Sequence, residues 1–134
     1  MNEEYDDLDE PPARPRKDIP AADRELLELA ARALGAVRVE EVEGENWVNL
    51  HFADGSTVFH WNPRVHSDDS LHLAVDLQMQ VSVDDGKATV GCGGAFAEEF
   101  NDNDPRAATR LAILRVAAEV GRQPALSRQT SSGN

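Results

Sequence analysis

Four times along this chain the spacing of the apolar residues changes period, and that alternation constrains the fold more than any other feature. Leu27, Ala30, Ala31 and Leu34 recur at helical spacing, with Leu26 and Ala33 widening the stripe. From Val37 the period drops to two. Val37 and Val39 alternate with Arg38 and Glu40, then Val48, Leu50 and Phe52 with Trp47, Asn49 and His51. Thr57, Phe59 and Trp61 complete the pattern, alternating with Val58 and His60. Period two marks half-buried strands. The turns between them, Glu43-Gly44-Glu45-Asn46 and Ala53-Asp54-Gly55-Ser56, are short enough that only antiparallel neighbours can be joined. Asn62-Pro63 then stops the third strand, because proline lacks the donor a ladder requires.

A second helix follows, with Ser67 or Asp68 as its cap and Asp68 and Asp69 favouring its positive end. Its expected buried face carries Leu71, Ala74, Val75 and Gln78, with Leu73 and Leu77 beside it; Asp68, His72 and Asp76 lie opposite. Met79, Val81 and Val83 return to period two, Asp84-Asp85-Gly86-Lys87 turns the chain, and Ala88–Cys92 runs back. Gly93–Phe100 reads as an irregular connection anchored by Phe96 and Phe100. Asp104 then caps a last helix opened by Pro105, with Ala107, Leu111, Leu114 and Ala118 along one row and Gly121 as its stop. The first helix is bounded in the same way, by Asp18 with Pro20 and by Gly35.

The expected order is α-β-β-β-α-β-β-α, an α+β fold in which one antiparallel sheet of about five strands is packed with helices. Residues 1–17 are acidic and rich in proline and are expected to be a disordered leader. Residues 18–121 form a single domain, and residues 122–134 a flexible polar tail.

The formal net charge is −12, and it is unevenly spread: residues 40–104 hold fourteen Asp and Glu against Arg64 and Lys87. A field of this sign repels phosphate backbones and attracts basic protein surfaces, which argues against direct nucleic-acid binding. No apolar run approaches the ~20 residues that cross a bilayer, and the acidic start has no secretory character. The single Cys92 excludes an intrachain disulfide. A cytoplasmic protein without a membrane partner is the expectation.

Chemistry-bearing residues crowd between His60 and Leu77, yet they form no established pattern. Asp68, His72 and Asp76, with His66 and His60 nearby, could offer oxygen and imidazole ligands, but zinc sites use tighter histidine spacings. Ser67, Asp69 and His66 or His72 lack the elbow that raises a nucleophilic serine. Gly91-Cys92-Gly93-Gly94 lacks the lysine and helix opening of a phosphate loop. No catalytic residue, metal or cofactor is therefore assigned.

Two stretches resemble a family of small phage proteins, the phage ABA sandwich domain. The first match is Trp61, Asn62, Pro63, Asp68, Asp69, Leu71, Leu73, Ala74, Val75 and Leu77. The second is Asp104, Pro105, Ala107, Ala108, Thr109, Arg110, Ala112, Ile113 and Ala117. The resemblance covers Trp61–Gly121. It implies a phage or prophage origin and helices packed on a sheet, and it brings no reaction with it.

The first hairpin lies outside that resemblance and carries Glu40, Glu41, Glu43 and Glu45 around Trp47; Asp84 and Asp85 add carboxylates at a second turn. An aromatic ringed by acid suits protein docking. The expected function is a non-enzymatic accessory protein that binds a basic host surface in the bacterial cytoplasm, inhibiting a nucleic-acid-handling or defence complex in the manner of an anti-CRISPR. The alternatives are a phage assembly component forming a homo-oligomer such as a homodimer, and a metal-dependent hydrolase resting on Asp68, His72 and Asp76.

Overall fold

The computed structural model of the protein describes residues 19–100 and 104–123. The leader, Asp18 as a helix cap, residues 101–103 of the last polar loop and the tail from residue 124 lie outside the described residues. Three helices and six strands follow in the order α-β-β-β-α-β-β-β-α. They are α1 (Ala21–Leu34), β1 (Ala36–Glu41), β2 (Val48–Phe52), β3 (Thr57–Trp61), α2 (Ser67–Asp76), β4 (Gln80–Asp84), β5 (Lys87–Cys92), β6 (Ala95–Phe100) and α3 (Pro105–Arg122).

The α+β class holds, but the single five-stranded sheet does not. Ala95–Phe100 is a regular strand rather than an irregular connection, pairing with β5 from Lys87↔Phe100 to Cys92↔Ala95. The strands divide into two antiparallel meanders, β1-β2-β3 and β4-β5-β6. Alternation was present in β6 all along: Ala95 is buried and Ala97 half-buried, while Phe96 and Phe100 face water. The aromatic residues suggested anchors, whereas the alanines are the residues that meet the helices.

α3 is the centre of the molecule. It packs on β5 and β6, along α1, and against α2. A helix covered on several sides must be apolar nearly all round. Accordingly Ala108, Ala112, Ile113, Leu114, Val116, Ala117, Ala118 and Gly121 are all buried, while Ala107 and Leu111 of the expected row are only half-buried. Leu27, Ala30 and Ala31 of α1, Val48 and Leu50 of β2, Trp61 and Leu73 join the same core. Asp104 caps α3 as expected, its carboxylate accepting from the Ala107 amide at 3.0 Å. Gly121, however, does not stop the helix, which continues to Arg122. It allows the close approach of α1: a Cβ there would lie 1.8 Å from the Leu29 carbonyl oxygen.

Two β-bulges overturn the expected alternation in the first sheet. Between Val48↔Trp61 and Leu50↔Val58, two residues of β3 oppose one of β2. The extra residue inverts the side-chain sequence, so Trp61 stays in the core while Phe59 is 66% exposed. His60 takes positive φ within the bulge, and its amide donates to the Asn49 side chain at 3.1 Å. The same irregularity between Ala36 and Arg38 turns Val37 outward.

At the helix ends, Pro20 is the N-cap of α1, and Gly35 closes that helix at φ 95° as expected. His66, not Ser67 or Asp68, occupies the N-cap of α2. The buried face of α2 is also rotated from the one expected. Ser70, Leu73 and Ala74 are buried, and Leu71 and Val75 are exposed.

Asn62 fixes that rotation. Its backbone N–H donates to Asp69 at 2.9 Å, and its side-chain oxygen accepts from the Arg64 amide at 2.9 Å. Its side-chain nitrogen donates to the Asn46 carbonyl, and its own carbonyl accepts from Val65 and His66. One buried residue thus ties the tip of the first hairpin to the entry of α2.

Candidate functional site

The acidic residues of the first hairpin divide into two kinds. Glu40 accepts from His51 Nε2 at 2.8 Å and from the Asn49 side chain at 3.4 Å. These bonds, His51 first, hold its carboxyl below the ordinary glutamate value. Glu41 lies 3.1 Å from Arg24 Nε. Both carboxylates are thus committed to neighbours. Glu43 projects from the turn, with the half-buried Glu45 beside it, over a cleft of about 330 Å³ bordered by Ile19 and Arg24.

Trp47 is half-buried, its ring 4.1 Å from that of His60 and tilted by 43°. It is therefore a partly covered wall rather than a projecting anchor. Asp84 and Asp85 are exposed on the β4–β5 turn. They belong to the other sheet, so the seven residues of the expected docking patch occupy two separate surfaces.

The two basic residues of the acidic middle are both paired internally. Lys87 Nζ lies 3.1 Å from Glu98, and Arg64 Nε lies 3.6 Å from Asp23. The exposed carboxylates at the two turns are thus left with little local compensation.

The grouping around α2 gives no assembled catalytic or metal centre. Asp68, His72 and Asp76 are exposed, and among the described residues no three His, Cys, Asp or Glu side chains come together to hold a metal ion. His66 Nδ1 lies 3.1 Å from Asp69, but Ser67 accepts from Arg110 at 3.1 Å instead of joining them. Cys92 donates to the Leu77 carbonyl at 3.2 Å, and burial pushes its thiol up. Such a thiol is a poor nucleophile at neutral pH.

A feature not anticipated from the sequence lies between α2, β4 and the first half of α3. There Leu71, Ala74, Val81, Val83 and Ile113 line an open groove of about 470 Å³, with Arg106 and Arg110 at its rim. Ser70 on the same wall is buried, and its hydroxyl has no hydrogen-bond partner among the described residues. Alternation identified Val81 and Val83, and helical spacing identified Leu71. Neither could show that β4 is an edge strand, which is what leaves these residues uncovered.

Compared with known proteins, the chain matches no family model, and no curated protein or solved structure matches it. Among the described residues, no helix is long and apolar enough to cross a membrane.

Proposed function

We propose that this protein is a non-enzymatic accessory protein of phage or prophage origin that docks a basic surface of a host protein. A host complex that handles nucleic acid, or one of host defence, presents such a surface, so the reading is of an anti-CRISPR-like inhibitor. The observation that carries it is the exposed charge at the two turns. Glu43, Asp84 and Asp85 are exposed, while Arg64 and Lys87, the basic residues of that stretch, are each paired to a carboxylate. Charge arranged in this way accelerates encounter with a basic partner and disfavours nucleic acid itself. The phage origin rests on the resemblance of Trp61–Gly121 to the phage ABA sandwich domain.

The test is capture from a bacterial lysate followed by purification of the retained protein and measurement of its affinity. Reversing Glu43, Asp84 and Asp85 to lysine should weaken that complex at least tenfold, and raising salt should weaken the wild-type complex in parallel. An affinity unmoved by both salt and the triple reversal would refute the proposal.

A further inference from the structure

The groove beside β4 has a different character from the acidic turns, and its parts point to one kind of occupant. β4 lies at the edge of its sheet, and all five of its residues are exposed. Asp84 and Lys87 flank the two-residue turn Asp85-Gly86 and pair with each other. Such a closing pair is hydrogen-bonded, and the bonds of an antiparallel ladder alternate along the strand. The main-chain groups of Val81 and Val83 therefore point away from β5, toward the open edge. An unpaired row of this kind templates the addition of another strand.

Other edges of this protein are guarded. β3 is bulged, β1 is bulged and carries Arg38, Glu40 and Glu41, and β6 carries Glu98 and Glu99. β4 has neither a bulge nor a charge between Gln80 and Val83. Its two valines are 42% and 52% exposed beside Leu71, which is 61% exposed.

Charge then selects among extended segments. Arg106 is exposed and has no carboxylate partner among the described residues. Arg110 donates to the Arg64 carbonyl and the Ser67 hydroxyl, both neutral, each at 3.1 Å. By contrast Arg24, Arg64, Lys87, Arg115 and Arg122 each lie beside a carboxylate. The charged side chains that line this groove are thus both basic, in a chain of net charge −12.

We infer that the groove binds an extended segment of a partner protein, added as a fourth strand to β4, with alternate apolar side chains on Leu71, Val81 and Val83 and a carboxylate at Arg106. The main chain of the segment pairs with Val81 and Val83, and side chains two residues apart enter the groove. A second copy of this chain fits less well. Its net charge repels its twin, and antiparallel pairing of two β4 strands about Ser82 sets Asp84 opposite Gln80. β6 ends at Phe100 opposite Lys87, so α3 and Arg106 begin at the other end of β4, beyond reach of that carboxylate.

The experiment uses the full chain and labelled synthetic peptides of alternating valine and serine, carrying two glutamates or two lysines at either end. Fluorescence anisotropy should show a glutamate peptide binding at least tenfold more tightly than its lysine counterpart. Arg106→Glu should abolish that preference. Val83→Pro removes an edge N–H at a position where proline is tolerated, and should weaken binding at least tenfold while leaving the thermal melt within a few degrees. Backbone amide shifts on binding should centre on Val81 and Val83. Equal binding of the two peptides, or none, overturns the inference. So does a wild-type dimer in light scattering that Val83→Pro converts to monomer, which would assign the edge to a second copy.

Discussion

Replacing Gly121 with alanine tests the packing of the two longest helices directly. A Cβ at residue 121 would lie 1.8 Å from the Leu29 carbonyl oxygen and 2.7 Å from its carbon, where real contacts are not shorter than 3.0 Å. The obstruction is backbone, so no side chain can swing aside. α1 and α3 must separate by roughly 1 Å, which forfeits a substantial part of the dispersion contact between their facing residues. Leu27, Ala30 and Ala31 on one helix, and Ala117 and Ala118 on the other, are buried in this part of the core. Overpacking of this kind costs about 1–3 kcal/mol and sometimes more. Alanine returns at most about 1 kcal/mol through helix propensity, and less so near a helix end. A net loss of about 2 kcal/mol is expected, or about 8–16 °C in melting temperature for a domain of this size. Urea unfolding followed by circular dichroism should show a lower midpoint with an unchanged slope. Gly91→Ala is the control, since its Cβ would meet only the Ala95 carbonyl oxygen, at 3.8 Å. If Gly121→Ala were as stable as the wild type, the close approach of α1 and α3 would be wrong.

Two further predictions concern local conformation and charge. Gln78 ends α2 at φ 55°, its amide bonded to the Val75 carbonyl and that of Met79 to Ala74, an arrangement usually made with glycine. Gln78→Gly should therefore stabilise by about 0.5–1 kcal/mol in the same urea assay, after the entropy gained by the unfolded chain is deducted; a loss of stability would contradict this reading. Glu40, held below its ordinary value by His51 and then Asn49, contributes stability that is present above the unfolded carboxylate range. That contribution disappears as pH falls through the lowered folded value. The melting temperatures of the wild type and Glu40→Gln should thus differ at neutral pH and converge in acid, and a gap that widened on acidification would count against the pairing.

Helix positions were the most legible part of the sequence, because they depend on residues close in the chain. Gly35, the Asp104–Pro105 start of α3, and the turns at Gly44, Gly55 and Gly86 all stand where local chemistry put them. The strands were legible as strands, apart from β6. Which way their side chains pointed was not, because a bulge is a property of two paired strands. Phe59 and Val37 face water since β3 and β1 each carry one residue more than β2 opposes. The carboxylates of the first hairpin were visible as a cluster, yet only pairing with His51, Asn49 and Arg24 separates Glu40 and Glu41 from the freer Glu43.

By itself the sequence determined the α+β class, the type of every element but β6 and the sign of the surface, since period, turn residues and charge are carried by neighbours along the chain. The tertiary structure decided how the strands divide between two sheets, and therefore which strands became edges. It also decided the rotation of α2, through the bonds of Asn62 to Asp69, Arg64 and Asn46. Turned otherwise, α2 would bury Leu71; as it stands, Leu71 meets the open edge of β4 and a groove exists. Gly121 shows the same division of causes. As a letter it reads as a helix stop, and only the carbonyl of Leu29, ninety-two positions away in the chain, makes it a point of helix contact.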